Sequence, residues 1–412
     1  MKKGNVLNSS ISWLDFSEAE RRKMVEIVSL FKERDTRDEL GIATIRDSFA
    51  DLFFPGTSTL QTRARYFLFI PWLYRHYEIT HVPSAKIPSR LRQDEILLID
   101  ALIRSGESGS VIGQRSGASL HRFPSSIYWI GLQNWGICRF PGTQEQYQRS
   151  LDHWNERQKI RTEIDEINQD DGFQLNWDSD LPEKPEGFPS QANFALTNDE
   201  AEYLKDRLLL SCIESLLAYL VEHTQPIDDT VHFPWFHPSI EAFPSRLQNW
   251  LIHARNFSET IHGAALLYNL KLAELAKNDE LASQYHENME QWYARLHMRQ
   301  EAWHYWDRNE FWALAARPGV NIPTLSRKFV DEWLDRLFIN GNISQPEKNK
   351  EMISLVERRE QYLKGSRSRF TSKRHLDMWS GASFAGQIDY RWRIARRITN
   401  DILEGLSKRE NH

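Results

Sequence analysis

The stretch that decides the fold is LGIATIRDSFADLFFPGTSTLQTRARYFLFIPWLYR, residues Leu40 to Arg75. Apolar residues recur at helical spacing on both sides of a Phe-Pro-Gly break, which predicts two helices joined by a turn. Ser58 and Gln61 form a capping-box pair, so we expect the second helix to begin near Thr59. No catalytic motif lies in this stretch.

Two arginines of this stretch are candidates for contact with a polyanion. Arg63 and Arg65 fall in the first two turns of the predicted second helix and are expected to project from it. Such an arrangement is typical of a nucleic-acid-binding helix. A local pair between Arg46 and a neighbouring aspartate is the ordinary alternative for charges in this region. The stretch therefore indicates contact rather than catalysis.

Length and composition limit the possible classes of protein. A chain of 412 residues exceeds the size at which a single core keeps growing, so two or three domains are expected. The net charge of −5 argues against a wholly basic surface, and any nucleic-acid site must be a local patch. The 15 Trp, 13 Tyr and 21 Phe must be largely buried, with some left for contact surfaces.

Cysteine use and hydropathy indicate a cytoplasmic protein without membrane contact. Cys138 and Cys212 each lie in an apolar segment, which a reducing compartment permits and which excludes a CxxC metal site. The first residues turn polar before an apolar run of signal-peptide length forms. No apolar run reaches membrane-spanning length.

Helical periodicity elsewhere predicts a mainly α, multi-domain protein. A first helix is expected from Ser17 to about Arg34. Thr197 to Glu200 is a capping box, and the residues from Leu208 to Val221 are apolar on nearly every side, as in a central buried helix. Long helices follow from Leu247 onward.

Residues 91–145 have the order of a small winged helix-turn-helix module. A helix, a glycine-rich turn, a short segment and a helix opening at Pro124 lead into a possible strand. Arg122 precedes that last helix, where free N–H groups and the hydroxyls of Ser125 and Ser126 can hold a phosphate. Ordinary helix caps and helical domains that touch no DNA have similar sequences, so both alternatives stay open.

The predicted division of the chain has five segments. They are an N-terminal helical domain (1–90), the winged-helix-like module (91–145), a linker or surface insertion (146–196), a C-terminal helical domain (197–340) and a basic C-terminal segment (341–412). The acidic, proline-containing composition of the third segment is the basis for treating it as a linker.

Enzymatic and metal-binding signals are weak. His297, Glu301 and His304 stand at i, i+4 and i+7, which places them on one face of a predicted helix and makes them metal-ligand candidates. The spacing lacks the HExxH form, and the polar flank of an amphipathic helix is the simpler interpretation. The sequence has no GxSxG elbow and no P-loop. We therefore expect no cofactor and no catalysis, although an enzyme is not excluded.

The basic C-terminal segment is the clearest electrostatic feature. Between Arg358 and Arg397 eleven cations stand against three acidic residues, with aromatic residues interleaved. Arg367, Arg369, Lys373 and Arg374 occupy a loop expected to be exposed, where they can neutralise phosphates. A solvated loop and helix face that balances acidic parts of the chain is the alternative.

Several segments resemble an uncharacterised bacterial family of about this length. These segments are SWLDFSE (Ser12 to Glu18), DELGIATIRDSFADLFFPGTSTLQTRARYFLF (Asp38 to Phe69), FPSSIYWIGLQNWGI (Phe123 to Ile137) and FSETIHGAALLYN (Phe257 to Asn269). The resemblance covers most of the chain, with SWLDFSE and FPGTSTLQTRARYF as its motifs. It implies genes near phage-defence or mobile-element loci and a helper of DNA-acting machinery, and it supplies no catalytic residues.

These observations lead to three hypotheses. The first is a non-catalytic, DNA-binding component of a bacterial phage-defence or DNA-processing system, with duplex DNA and other subunits of the complex as partners. Its phosphate contacts would be Arg63, Arg65, Arg122, Arg367, Arg369, Lys373 and Arg374. The second is a helical protein–protein scaffold that docks through tryptophan-rich surfaces. The third is a metal-dependent enzyme built on the histidine pair.

Overall fold

The computed structural model describes residues 38–107, 109–164, 175–339 and 341–408. In these ranges the chain is mainly helical, which confirms the predicted fold class. The α-helices, in chain order, are α1 Ala43–Phe53, α2 Tyr66–Ile79, α3 Ile87–Arg104, α4 Pro124–Asn134, α5 Gln144–Ile164, α6 Asn198–Cys212, α7 Leu216–His223, α8 Ser245–Leu275, α9 Asp279–Met298, α10 Gln300–His304, α11 Arg308–Ala315, α12 Thr324–Leu337, α13 Lys350–Lys364, α14 Lys373–Asp377 and α15 Trp392–Leu406. A short antiparallel pair, β1 Phe338–Ile339 and β2 Asn342–Ile343, is the one sheet of the described ranges. The helix expected from Ser17 lies outside them.

The chain divides into two compact units, each assembled from separate stretches. The smaller unit comprises Met1–Thr44, Glu259–Tyr305 and Ile322–Gln387, and the larger unit comprises Ile45–Ser258, Trp306–Asn321 and Ile388–His412. Helices far apart in sequence therefore share one core within each unit. A search of the described helices for one long and apolar enough to cross a membrane finds none.

An aromatic core organises the larger unit around α2 and α4, as the apolar pattern of the opening stretch predicts. The rings of Phe67 and Trp135 stack with centroids 3.8 Å apart, and Tyr128 is fully buried beside them. Gly131 leaves room for the Phe67 ring, because a Cβ there would lie 2.8 Å from Cε1 of that ring. Stacked rings add to the free energy of area burial by about 0.5–1.5 kcal/mol per pair.

The second helix of the opening stretch begins later than its cap signal indicates. α2 starts at Tyr66 and not near Thr59, so the predicted start is wrong. The Gln61 amide donates to the Gly56 carbonyl at 2.9 Å. The Tyr128 hydroxyl accepts hydrogen bonds from two backbone N–H groups of the residues that follow. Because these tertiary partners hold the segment before α2, the two candidate arginines precede the helix.

Residues 91–145 contain two of the expected helices, α3 and α4, and the residues of this segment that the structure describes form no β-hairpin wing. The stretch between these helices forms turns and a 3₁₀-helix at Gly117–Ser119. Cys138 makes an isolated bridge with Trp177, and the described part of the segment has no strand pair. The exposed positions of α4 are Ser126, Ile130 and Asn134, which form a narrow face without a charged side chain.

The capping box at Thr197 is confirmed, but the helix after it is interrupted. The Thr197 side chain and the Glu200 carboxylate each accept from the other residue's backbone N–H at the start of α6. The predicted apolar helix is split into α6 and α7, because the Ser215 hydroxyl accepts from the Ala218 N–H and begins a new helix. The single helix predicted from Leu208 is therefore wrong.

The end of the predicted linker packs on the larger unit. Trp177 is 2% exposed, and its indole N–H donates to the Tyr147 hydroxyl at 2.9 Å. The Asp178 carboxylate is fully buried and pairs with Arg139 at 2.7 Å and Arg207 at 2.5 Å. These contacts tie the segment to α5 and α6.

Tryptophans form the core of the smaller unit. The Trp333 indole N–H donates to the Thr260 carbonyl at 3.0 Å, and the Trp292 indole N–H donates to the Glu259 carbonyl at 2.7 Å. Gly263 lies under the Trp292 ring, since a Cβ there would come within 2.2 Å of it. The carbonyls of α8 thus orient two large rings, and Gly263 leaves room for one of them.

Candidate nucleic-acid interface

Arg63 belongs to a buried ion pair of the larger unit. Its Nε donates to both carboxylate oxygens of Asp401 at 2.9 Å, and the Asp401 side chain is 5% exposed. Burial raises the pKa of Asp401, and the bond to Arg63 opposes this shift. A phosphate would have to displace the carboxylate and leave it buried without a partner, which is strongly unfavourable.

Arg65 is held in the same way. It is 6% exposed, and its guanidinium donates to Glu200 at 2.6 Å and to the Asn193 side chain at 2.8 Å. It also lines a cavity of about 680 Å³ together with Arg104. Because both terminal nitrogens of Arg65 are occupied, this residue is part of the fold and not a free cation.

Arg369 is half-buried in the smaller unit and contacts a buried carboxylate. It bonds Glu39 at 2.8 Å and donates to the Tyr268 hydroxyl at 2.7 Å, while Lys364 also pairs with Glu39. Burial raises the pKa of Tyr268, and the charge of Glu39 raises it further, so the hydroxyl stays neutral. Arg369 therefore fixes its loop internally.

A second buried carboxylate anchors the same loop, which we call the basic loop (residues 365–374, of which Lys373 and Arg374 already belong to α14). Glu360 is fully buried on α13. It accepts from the Ser368 hydroxyl at 2.5 Å and from the Arg369 backbone N–H at 2.9 Å. Gly365 opens the loop at φ +52°, a conformation that favours glycine. The loop backbone is thus held in place from both sides.

Three predicted contact residues project from this anchored loop. Arg367, Lys373 and Arg374 are exposed, and their side chains make no hydrogen bond or ion pair with the described residues. Arg358, on α13 in the same unit, is also exposed and unpaired there. The structure therefore brings together three of the seven candidate cations on one ordered segment, with a fourth cation in the same unit.

Arg122 is exposed in the larger unit, but the adjacent helix start is occupied. The Ser125 backbone N–H and hydroxyl donate to the buried Glu95 carboxyl at 2.7 and 3.1 Å. Burial raises the pKa of Glu95 to about 8, and the two bonds from Ser125 oppose this shift. A protein carboxyl thus fills the place that the sequence analysis suggested for a phosphate.

The basic segment carries less free charge than its sequence suggests. Five of the eleven cations between Arg358 and Arg397 are engaged with carboxylates or carbonyls, and they are Arg359, Lys364, Arg369, Arg391 and Arg396. Arg393 and Arg397, which are exposed, belong to the larger unit, and Arg397 donates to the Ser110 hydroxyl at 2.9 Å. Of the cations between Arg358 and Arg397 that belong to the smaller unit, Arg358, Arg367, Lys373 and Arg374 are therefore the unpaired ones.

The aromatic residues of this segment are also divided between the two units. Tyr390 and Trp392 are at most 1% exposed and serve the core of the larger unit. Phe370 and Trp379 are partly exposed in the smaller unit, on either side of α14. Trp379 lines a cavity of about 750 Å³ together with Gln284 and Asn288 of α9. The sequence analysis missed these two amides, because polar residues at i, i+4 on a helix carry no distinctive signal.

The metal hypothesis loses its geometric basis. α9 ends at Met298 and α10 begins at Gln300, so His297 is not on the same helix as Glu301 and His304 and the predicted shared face is wrong. A search of the described residues for groups of at least three metal-ligating side chains finds none. The two thiols are also poor nucleophiles, because burial raises the pKa of Cys138 to about 12 and that of Cys212 to about 11.

Comparison with known proteins identifies a family without assigning an activity. The model of a Family of unknown function (DUF6361) matches residues 8–405, which is nearly the whole chain. No curated protein and no solved structure matches the chain.

Proposed function

The chain belongs to that family of unknown function, and we propose that it is a DNA-binding, non-catalytic component of a phage-defence or DNA-processing system. In this proposal the basic loop contacts the phosphate backbone. The supporting observation is that Arg367, Lys373 and Arg374 are exposed and unpaired on a loop that buried carboxylates anchor.

The anchoring favours binding on energetic grounds. A surface cation gains affinity for phosphate mainly because counterions are released from the DNA. For duplex DNA, each neutralised phosphate adds about 0.9 to the magnitude of the slope of the logarithm of the association constant against the logarithm of the salt concentration. A loop that is already ordered loses less conformational entropy on binding than a flexible tail would. In a protein of net charge −5, three such cations on ten residues form the local patch that nucleic-acid contact requires.

The proposal assigns DNA contact to the basic loop and not to a winged helix. The exposed face of α4 is narrow, and the N–H and hydroxyl of Ser125 are engaged by Glu95. Arg63, Arg65 and Arg369 are excluded from the contact set, since each is bound to a carboxylate. The phage-defence role and the cytoplasmic location follow from the family resemblance and the cysteine use, and both remain part of the proposal.

A protein–protein scaffold is the second candidate, and one observation favours it. Leu210 and Ile213, at the end of α6 and just after it, are 71% and 68% exposed, and neighbouring exposed apolar side chains are typical of a contact surface. Tryptophan-rich docking has less support, because eleven of the fourteen tryptophans in the described residues are buried. If this patch is an interface between copies of the chain, the wild type should self-associate in sedimentation velocity and Leu210→Gln/Ile213→Gln should not. A monomeric wild type, or equal self-association of both proteins, counts against it.

Fluorescence anisotropy of a labelled duplex tests the main proposal. The variant Arg367→Ala/Lys373→Ala/Arg374→Ala removes the three free cations of the loop. Lys86→Ala/Arg90→Ala/Arg149→Ala is the matched control, because it removes three exposed cations of the larger unit and changes the net charge equally. Loss of affinity in the first variant alone supports the proposal. Equal affinity in all three proteins, or no binding by the wild type at low salt, refutes it.

A further inference from the structure

The cavity next to α14 contains a set of groups that the phosphate contact does not use. It measures about 750 Å³, within the range of pockets that hold small ligands. α9 contributes Gln284, Tyr285 and Asn288 to its wall, and the segment from the end of α14 onward contributes Asp377 and Trp379. All of these residues belong to the smaller unit.

The polar groups of this wall are available to a ligand. The side-chain amides of Gln284 and Asn288 make no hydrogen bond with the described residues. Each amide can donate and accept hydrogen bonds, so the pair can bind one polar edge of a ligand.

The apolar groups define a flat site. Tyr285 is 4% exposed, and its hydroxyl is fixed by donation to the Gly381 carbonyl at 2.8 Å. Its buried ring therefore closes the wall and offers no open face. The partly exposed Trp379 supplies the aromatic surface. Planar heterocycles stack on such rings with little preference for their identity.

The charges of the cavity differ from those of the basic loop. Glu280 and Asp377 line the cavity and are exposed, and they repel a phosphate while accepting from amino groups. Lys373 and Arg374 lie in the same five-residue helix as Asp377. At 1.5 Å per residue, about 6 Å along the helix axis separates the first cation from the cavity wall. The arrangement places a phosphate outside the cavity and an uncharged ring inside it.

We propose that this cavity takes an unpaired nucleobase from nucleic acid held at the basic loop. The inference rests on the proposed function and extends it to a preference for DNA in which a base is already unpaired. Stacking on the Trp379 ring holds the base, and the amides of Gln284 and Asn288 bind its polar edge. The volume leaves room for the attached sugar. Extruding a base from a mismatch costs less free energy than extruding one from a matched pair. Mismatched DNA should therefore bind more tightly than matched DNA.

The test compares three labelled DNAs of equal length, a matched duplex, the same duplex with one mismatch and the single strand, by anisotropy. The wild type should bind the mismatched duplex roughly tenfold more tightly than the matched one. Gln284→Ala/Asn288→Ala and, separately, Trp379→Ala should lose this preference and keep the salt-sensitive affinity for matched duplex. Gln291→Ala, an exposed amide on the same helix, is the matched control and should keep the preference. Circular dichroism melting establishes that each variant is folded.

The failure of this inference differs from the failure of the proposed function. Salt-sensitive binding with equal affinity for matched and mismatched duplex overturns the cavity inference and leaves the DNA-binding proposal in place. A mismatch preference that persists in both cavity variants also overturns it, because the preference then arises elsewhere. No salt-sensitive binding to any of the three DNAs overturns the proposed function, and the cavity inference with it.

Discussion

The anchor of the basic loop can be tested by changing one atom of a buried side chain. Glu360→Gln keeps the shape of the residue and replaces a carboxylate oxygen with an NH₂ group. The carboxylate now accepts from the Ser368 hydroxyl at 2.5 Å and from the Arg369 N–H at 2.9 Å. In the variant one acceptor remains, and the other donor faces the new NH₂ group.

The expected loss of stability follows from these two bonds. A hydrogen bond to a charged group contributes about 1.5–3 kcal/mol, and a buried donor left without an acceptor costs about 1–3 kcal/mol. The surviving amide bond offsets part of this loss. We expect Glu360→Gln to lower the free energy of unfolding by roughly 2–4 kcal/mol in urea titrations. Glu357→Gln, on the same helix and with no side-chain bond among the described residues, should change it by less than about 0.5 kcal/mol.

Glu360→Gln also distinguishes the effect of loop order on DNA binding from the effect of loop charge. Its three free cations remain, so the salt dependence of DNA binding should not change. The loop must now be ordered on binding, and we expect the dissociation constant to rise about three- to tenfold. An unchanged free energy of unfolding together with an unchanged dissociation constant would show that Glu360 does not hold the loop.

Three further changes test the packing and electrostatics of the units. Gly263→Ala places a Cβ within 2.2 Å of the Trp292 ring and should destabilise the protein by about 1–3 kcal/mol in urea unfolding, whereas an unchanged midpoint would contradict this packing. Arg65→Met leaves the Glu200 carboxylate buried without its partner and should cost about 3–5 kcal/mol by the same measurement, and a cost below 1 kcal/mol would mean that the pair is not buried. Burial raises the pKa of Glu95 from 4.5 to about 8, so the folded state binds the extra proton and stability should fall from about pH 5 to pH 8. Glu95→Gln should flatten that part of the stability profile, and an identical slope in the variant would refute the assignment.

Local sequence signals predicted the helical class and some element starts. The capping box at Thr197 and the helix opening at Pro124 depend on residues within one helical turn, and both are present in the structure. The long apolar pattern after Leu247 corresponds to α8, because a repeat over many residues outweighs single exceptions. Such features need no knowledge of distant contacts.

Features that depend on distant partners were not predictable. The helix start near Thr59 fails because Tyr128, far along the chain, binds the backbone before α2. Arg63 resembles a surface cation in sequence, yet its partner Asp401 lies 338 residues away. The break after Met298 separates the metal candidates, and no proline or glycine marks it. Pairing of this kind is decided by the tertiary fold and leaves no local pattern.

In the candidate site, too, the local features were predictable and the distant contacts were not. The exposed cations of the basic loop were predicted from the local excess of positive charge, whereas the buried carboxylates Glu39 and Glu360 that fix the loop were not. An alternation of charged and small residues describes a solvated loop and an anchored one equally well. The anchored loop differs from a solvated one through its contacts with Glu360 of α13 and with Glu39.

The salt dependence of DNA affinity tests the central claim most directly. The logarithm of the association constant of a labelled duplex is measured against the logarithm of the salt concentration for wild type, Arg367→Ala/Lys373→Ala/Arg374→Ala and the control Lys86→Ala/Arg90→Ala/Arg149→Ala. Three lost phosphate contacts should reduce the magnitude of the slope by about 2.7 in the loop variant and leave it unchanged in the control. Equal slopes for all three proteins, or no salt-sensitive binding by the wild type, would contradict the account.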